Sequence, residues 1–235
     1  MKAVFKREFV SYFTGGIGYV YCGVFALICN ISYYNYCLSA YNSDFLKVIS
    51  DMLILLILLI PLATMRVWSE EKKQKTDQLL LTAPVSTGEI VLGKFFASFC
   101  LFLLSLVLTL VYPIISALYG TLELWAVIGN YVAISLAAAA YIAVSQFMSS
   151  LSESQIISAL LSVITLFAFY LLDLLFDSTT VGSLSSAASF LSIITRFENF
   201  SRGIFVLSDI VYFISFTAIF LFLTSRVIEK RRWSA

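Results

Sequence analysis

A chain of 235 residues that is 60% hydrophobic and only 12% charged, with mean hydropathy +0.95, has too much apolar surface for a soluble domain, since such domains run near half apolar and a quarter charged. The formal net charge of +1 offers no basic field for a nucleic acid, and no such partner is expected. The composition predicts an all-α, polytopic membrane protein with six transmembrane helices, over about 17–41, 48–68, 95–119, 124–148, 155–176 and 209–226. These runs have the length a bilayer core requires and lack the alternation of a membrane barrel.

In residues 1–14, Val4, Phe5, Phe9, Tyr12 and Phe13 recur at helical spacing, with Lys2, Lys6 and Arg7 on the other face. This pattern predicts an amphipathic helix lying in the membrane interface. Phe5, Lys6, Arg7 and Phe9 are its candidate contact residues. Gly15 and Gly16 should end it, and Ile17 should open the first span. That span is too long and lacks the small-residue cleavage site of a removable signal, so it is expected to stay in the membrane. Tyr33, Tyr34, Tyr36 and Tyr41 at its far end read as an aromatic belt at headgroup level. Asp51, near the outer start of the second span, reads as an interfacial acid.

The second span contains Pro61, a possible kink, and runs into Arg66 and Trp68. A charged cytoplasmic loop is expected over 69–94, containing Glu70, Glu71, Lys72, Lys73 and Lys75, and it reads as two short helices: an amphipathic turn around Asp77–Thr82 with Leu79, Leu80 and Leu81, interrupted by Pro84, and then a second helix. Ser86 and Glu89 have the spacing of a capping box, so a helix should start there and continue through Gly93 and Lys94 into the third span. Ser152 and Gln155 repeat that spacing before the fifth span. Residues 177–208 are too polar to cross and too apolar for a free loop, which predicts short outer interfacial helices before the last span.

Lysine and arginine fall unevenly. Lys2, Lys6 and Arg7, then Arg66 through Lys94, then Arg226, Lys230, Arg231 and Arg232 occupy one side. Only Lys47, Arg196 and Arg202 occupy the other. The positive-inside rule places both termini and the charged loop in the cytoplasm.

The chemistry of an enzyme is absent. Without histidine there is no His-assisted acyl transfer and no His-ligated zinc. No glycine-rich phosphate loop ending in Lys-Ser or Lys-Thr occurs, so nucleotide binding in that manner is excluded. Glu70 and Glu71 are adjacent and point apart on a helix. Cys22, Cys29, Cys37 and Cys100 have no metal or redox spacing and read as small apolar residues. Asn199 opens a glycosylation tripeptide with Ser201. Asn30, Gln146 and Asp173 are scattered polar residues that form no relay. No catalytic, cofactor or metal residue is expected.

With these features in view, the chain resembles ABC-2 type exporter permease subunits, and among them the gliding-motility-associated permeases. Thr64, Met65, Arg66, Glu70, Glu71, Thr76, Leu79, Leu80, Pro84, Val85, Gly93 and Lys94 carry the likeness, while Lys75 stands where that family commonly has glycine. The resemblance implies a single transmembrane domain over 1–235 in a bacterial cytoplasmic (inner) membrane. It further implies a translocation path shared with a second permease, as a homodimer or heterodimer, and separate ABC ATPase subunits. Glu70, Glu71, Thr76, Leu79, Leu80, Pro84 and Lys94 would then form the ATPase-coupling surface. Two rival readings are a structural membrane anchor of a secretion or motility complex and a self-sufficient secondary transporter. The latter would normally show internal repeats, and none is evident.

Overall fold

The computed structural model of the protein describes residues 1–39, 45–75, 86–119, 124–177, 196, 197, 199, 200, 204 and 206–234. Helix α1 (Lys2–Thr14) leads at Gly16 into α2 (Ile17–Tyr33), which ends in a π-turn over Tyr34–Leu38. Then follow α3 (Phe45–Thr64), α4 (Arg66–Lys73), α5 (Thr87–Leu108), α6 (Val111–Tyr119), α7 (Leu124–Leu151), α8 (Gln155–Asp177) and α9 (Leu207–Ser234). No strand occurs among the described residues. Among the described residues five stretches are long and apolar enough to cross a membrane: Ile17–Leu38, Asp51–Lys73, Thr87–Leu118, Leu124–Leu151 and Leu207–Arg231. The fifth expected span corresponds to α8, a helix of 23 residues whose described apolar part covers Gln155–Leu171.

Gly16 explains the corner between α1 and α2. Its φ of 75° is left-handed, which costs glycine little and other L-residues more. Two of the three prolines lie in described helices and act locally. Pro61 sits inside α3, and the helix gives way at Met65, whose N–H reaches back to the Pro61 carbonyl at 2.8 Å. Pro113 lacks the N–H that would bond Thr109, and that carbonyl accepts from the Tyr112 N–H and the Tyr131 hydroxyl, each at 3.0 Å. The third span is therefore two helices, α5 and α6, joined by a turn at Thr109.

Helix α7 is the centre of the bundle, packed by α3, α8 and α9. Its buried face carries Ala133, Ala137, Ala138, Ala140 and Ala143 beside Ser145, Ser149 and Ser150. Small residues let neighbouring backbones approach closely where lipid gives helices no hydrophobic reason to associate. Gln146 lies on the same helix, fully buried, while Asn30 is exposed on α2. The four cysteines are free thiols, buried or half-buried, as expected of apolar spacers.

Several local expectations need correction. Tyr33 is not at a membrane surface: it is buried, stacks on Tyr112 with centroids 4.8 Å apart, and pairs with the Ser116 hydroxyl at 3.0 Å. Tyr34 and Tyr36 are exposed, and Tyr41 lies outside the described residues. Ser152 does not form a capping box with Gln155. Its hydroxyl accepts from the Ser154 N–H at 3.1 Å, a tight turn that ends before α8 begins. Asn199 spends its amide on Asp209, donating at 3.0 Å, and Arg196 binds the other Asp209 oxygen at 2.7 Å. These bonds tie the segment before α9 to the first turn of that helix, with Phe197 and Phe200 buried beside it. Most of the expected outer helices over 177–208 lies outside the described residues.

Candidate functional site

Charge gathers at one end of the bundle, where α1, α4, the start of α5, the end of α7 and the end of α9 meet. Both chain ends are there. The N-terminal ammonium lies 3.5 Å from Glu89, and Arg231 of α9 binds Glu153, between α7 and α8, at 2.9 Å.

At its heart is Lys94, which is fully buried. An ammonium without water must be matched by acceptors on every side. Here Nζ lies 2.9 Å from Glu71 and 3.3 Å from Glu8, donates to the Val67 carbonyl at 2.7 Å, and stands 4.7 Å above the Trp68 ring. Arg7 completes the set, donating to both Glu8 and Glu71 at 2.6 Å. Two cations and two carboxylates thus join α1, α4 and α5 in one closed network. Burial opposes the charge on Glu8, but Lys94 and Arg7 outweigh it and hold its carboxyl below the ordinary value of 4.5. Burial likewise opposes the charge on Arg7, and Glu8 and Glu71 more than compensate, raising its pKa.

Packing reinforces the network. Phe5, Phe9 and Phe13 stack in succession along α1, at 5.8 and 5.2 Å. Tyr12 is buried and bonds the Ser98 hydroxyl of α5 at 2.9 Å, and burial pushes its phenol up to about 12. Gly93 lets α1 lie against α5, since a Cβ there would stand 3.1 Å from the Val4 side chain. Lys6 is exposed on the opposite face.

On its other side α4 is fastened to α7. The Ser149 hydroxyl accepts from the N–H groups of Trp68 and Ser69 at 3.3 and 3.4 Å and donates to the Met65 carbonyl at 2.9 Å. The Lys72 ammonium donates to the Ser150 carbonyl. These bonds supply polar partners where the helix axis breaks after Thr64. Helix α5 begins as its sequence predicts, with the Ser86 hydroxyl accepting from the Glu89 N–H at 3.3 Å. The Glu89 carboxylate turns to the N-terminus instead of closing the box.

The described part of the 69–94 segment is helical at both ends, and the turn expected around Asp77–Thr82 lies outside the described residues. Helix α4 continues to Lys73, and Lys75 turns the chain with φ 56°. That φ lies in the left-handed region that glycine favours. Thr76, Leu79, Leu80 and Pro84 lie outside the described residues. Of the remaining candidates, Glu70 and Glu71 are half-buried side by side on α4, and Lys94 is inside the protein. Sequence reasoning missed Glu8, Tyr12's hydroxyl, Ser98, Ser149 and Ser150. A lysine set among Leu92, Gly93, Phe95 and Phe96 was the available sign that an acid must reach it.

The arrangement holds no reactive pair and no metal-ligating cluster among the described residues. What it holds is a set of short charged helices tied by ion pairs and hydrogen bonds to α5 and α7. The sequence model of the ABC-2 family transporter proteins matches residues 6–169, from α1 into α8. The chain belongs to the ABC-2 transporter family. No curated protein matches it. As an ABC-2 membrane subunit it is a multi-pass transport component, and membership implies association with an ABC ATPase.

Proposed function

We propose that this ABC-2 subunit is one half of an exporter in a bacterial cytoplasmic membrane, with six spans and both termini in the cytoplasm. A second permease chain completes the path, and two separate ATPase subunits bind beneath. The likeness of Pro61–Lys94 to gliding-motility-associated permeases supports that subtype. The observation that carries the reading is the ion network of Arg7, Glu8, Glu71 and Lys94. It makes the interfacial helix, the end of the second span and the start of the third move as one body. Force delivered to the 70–90 segment by ATPase closure reaches two spans directly, and a third through Ser149 and Lys72.

In this reading Glu70, Thr76, Leu79, Leu80 and Pro84 face the ATPase, with Glu71 and Lys94 holding their base. Phe5 and Phe9 seat the interfacial helix while Lys6 and Arg7 meet headgroups or partner. Leu80→Glu places a charge on a surface whose burial is worth roughly 1.5–3 kcal/mol per leucine. It should sharply reduce ATPase copurification while membrane level stays normal, and Leu184→Glu on the outer side should leave copurification intact. Wild-type copurification with Leu80→Glu would move the docking surface elsewhere. ATPase association without substrate-dependent hydrolysis would instead favour the structural-anchor reading.

A further inference from the structure

Beside the ion network, between α1 and α4, lies a cleft of about 330 Å³ lined by charge of both signs. That volume is in the range of small-ligand pockets, about 300–1,000 Å³. Its walls include Arg7, Tyr12, Arg66, Glu70 and Glu71. Arg7 and Glu71 are already well paired, but Arg66 is not. Its side chain is only 19% exposed, its ion pair with Glu70 is a long 3.4 Å, and it donates no hydrogen bond among the described residues. A guanidinium carries five N–H donors and is costly to shield from water unmatched. Gly15 keeps space over it, since a Cβ there would stand 3.1 Å from Nη2. Glu70 is similarly loose, with contacts of 3.4 Å to both Arg66 and Gln74.

The cleft also has a definite depth. Each lining element sits where an apolar span gives way to charge: α1 just before the first span, Arg66 just after α3, Glu70 one turn beyond. That is headgroup level. The geometry points to a phospholipid with a primary ammonium, phosphatidylethanolamine, as the occupant. Its phosphate meets the free N–H donors of Arg66, and its ammonium donates to Glu70. A purely anionic headgroup would leave Glu70 facing its charge. A choline headgroup has no N–H to donate. The site rests on the membrane placement of the chain; it shares Glu70 with the proposed ATPase face but not Arg66, so lipid retention in Arg66→Gln and ATPase copurification in Leu80→Glu separate the two readings.

The test is lipid retention. The full-length chain is reconstituted in nanodiscs of equal phosphatidylethanolamine, phosphatidylcholine and phosphatidylglycerol, released, and weighed by native mass spectrometry. One retained phosphatidylethanolamine is expected, about tenfold over either competitor, as one charge-assisted hydrogen bond allows. Arg66→Gln removes the partner of the phosphate that all three lipids share and should cut retention of each, whereas Glu70→Gln, on a more exposed residue, should erase the preference for phosphatidylethanolamine. Parity in the wild type, a phosphatidylglycerol excess, undiminished retention in Arg66→Gln, or an undiminished phosphatidylethanolamine excess in Glu70→Gln overturns the assignment.

Discussion

Lys94 shows how a single buried charge organises its surroundings. With water excluded, its two carboxylates and the Val67 carbonyl are required partners, and Arg7 offsets the second negative charge. Lys94→Met keeps the volume but leaves Glu8 and Glu71 sharing Arg7 alone. Breaking a buried pair in this way costs about 3–5 kcal/mol, so thermal unfolding in detergent should fall clearly below wild type. Glu8 gives the pH dependence. Its pKa is lowered in the folded chain, so its contribution is present above the ordinary value of 4.5 and is lost as pH falls through the folded value. Glu8→Gln should melt earlier at neutral pH, and the difference from wild type should shrink below about pH 4.5. A constant difference across that range would mean that Glu8 acts by shape and not by charge.

Among the elements, α1 and α4 differ most from what their composition suggests. Both are short and charged, yet neither is a surface appendage. Helix α1 lies on α5 through Gly93 and the Tyr12–Ser98 bond, and α4 is held by α7 through Ser149. Gly93→Leu should push α1 away, with an overpacking cost of about 1–3 kcal/mol. Combined with Lys94→Met it should lose less than the two separate effects added, because both detach the same helix. Strict additivity in a double-mutant thermal-unfolding cycle would separate the contact from the network. The helices themselves were readable from sequence, since the period of Phe5, Phe9 and Phe13, the Gly16 corner and the Ser86 cap are local features. What holds them was not. Glu8 and Lys94 are 86 residues apart, and Lys72 meets Ser150 across 78. No spacing rule reaches that far, and Tyr33 was misplaced because an aromatic near a span end looks the same whether it faces lipid or Tyr112.

At the scale of the molecule, one end of the bundle collects both chain ends, the ion network and the approach to the segment after Lys75, while α7 connects that end to the core. In the proposed coupling such an assembly transmits force, and the hydrolysis that drives it belongs to a partner chain. The account therefore depends on an ATPase acting from outside the chain. The direct measurement is ATP binding and hydrolysis by the purified, tagged chain alone and by the complex captured with it from native membranes. The chain alone should neither bind nor hydrolyse ATP, and the complex should contain an ATPase subunit in stoichiometric amount and turn ATP over. Robust hydrolysis by the isolated chain, or a native complex with no ATPase in it, would contradict the account.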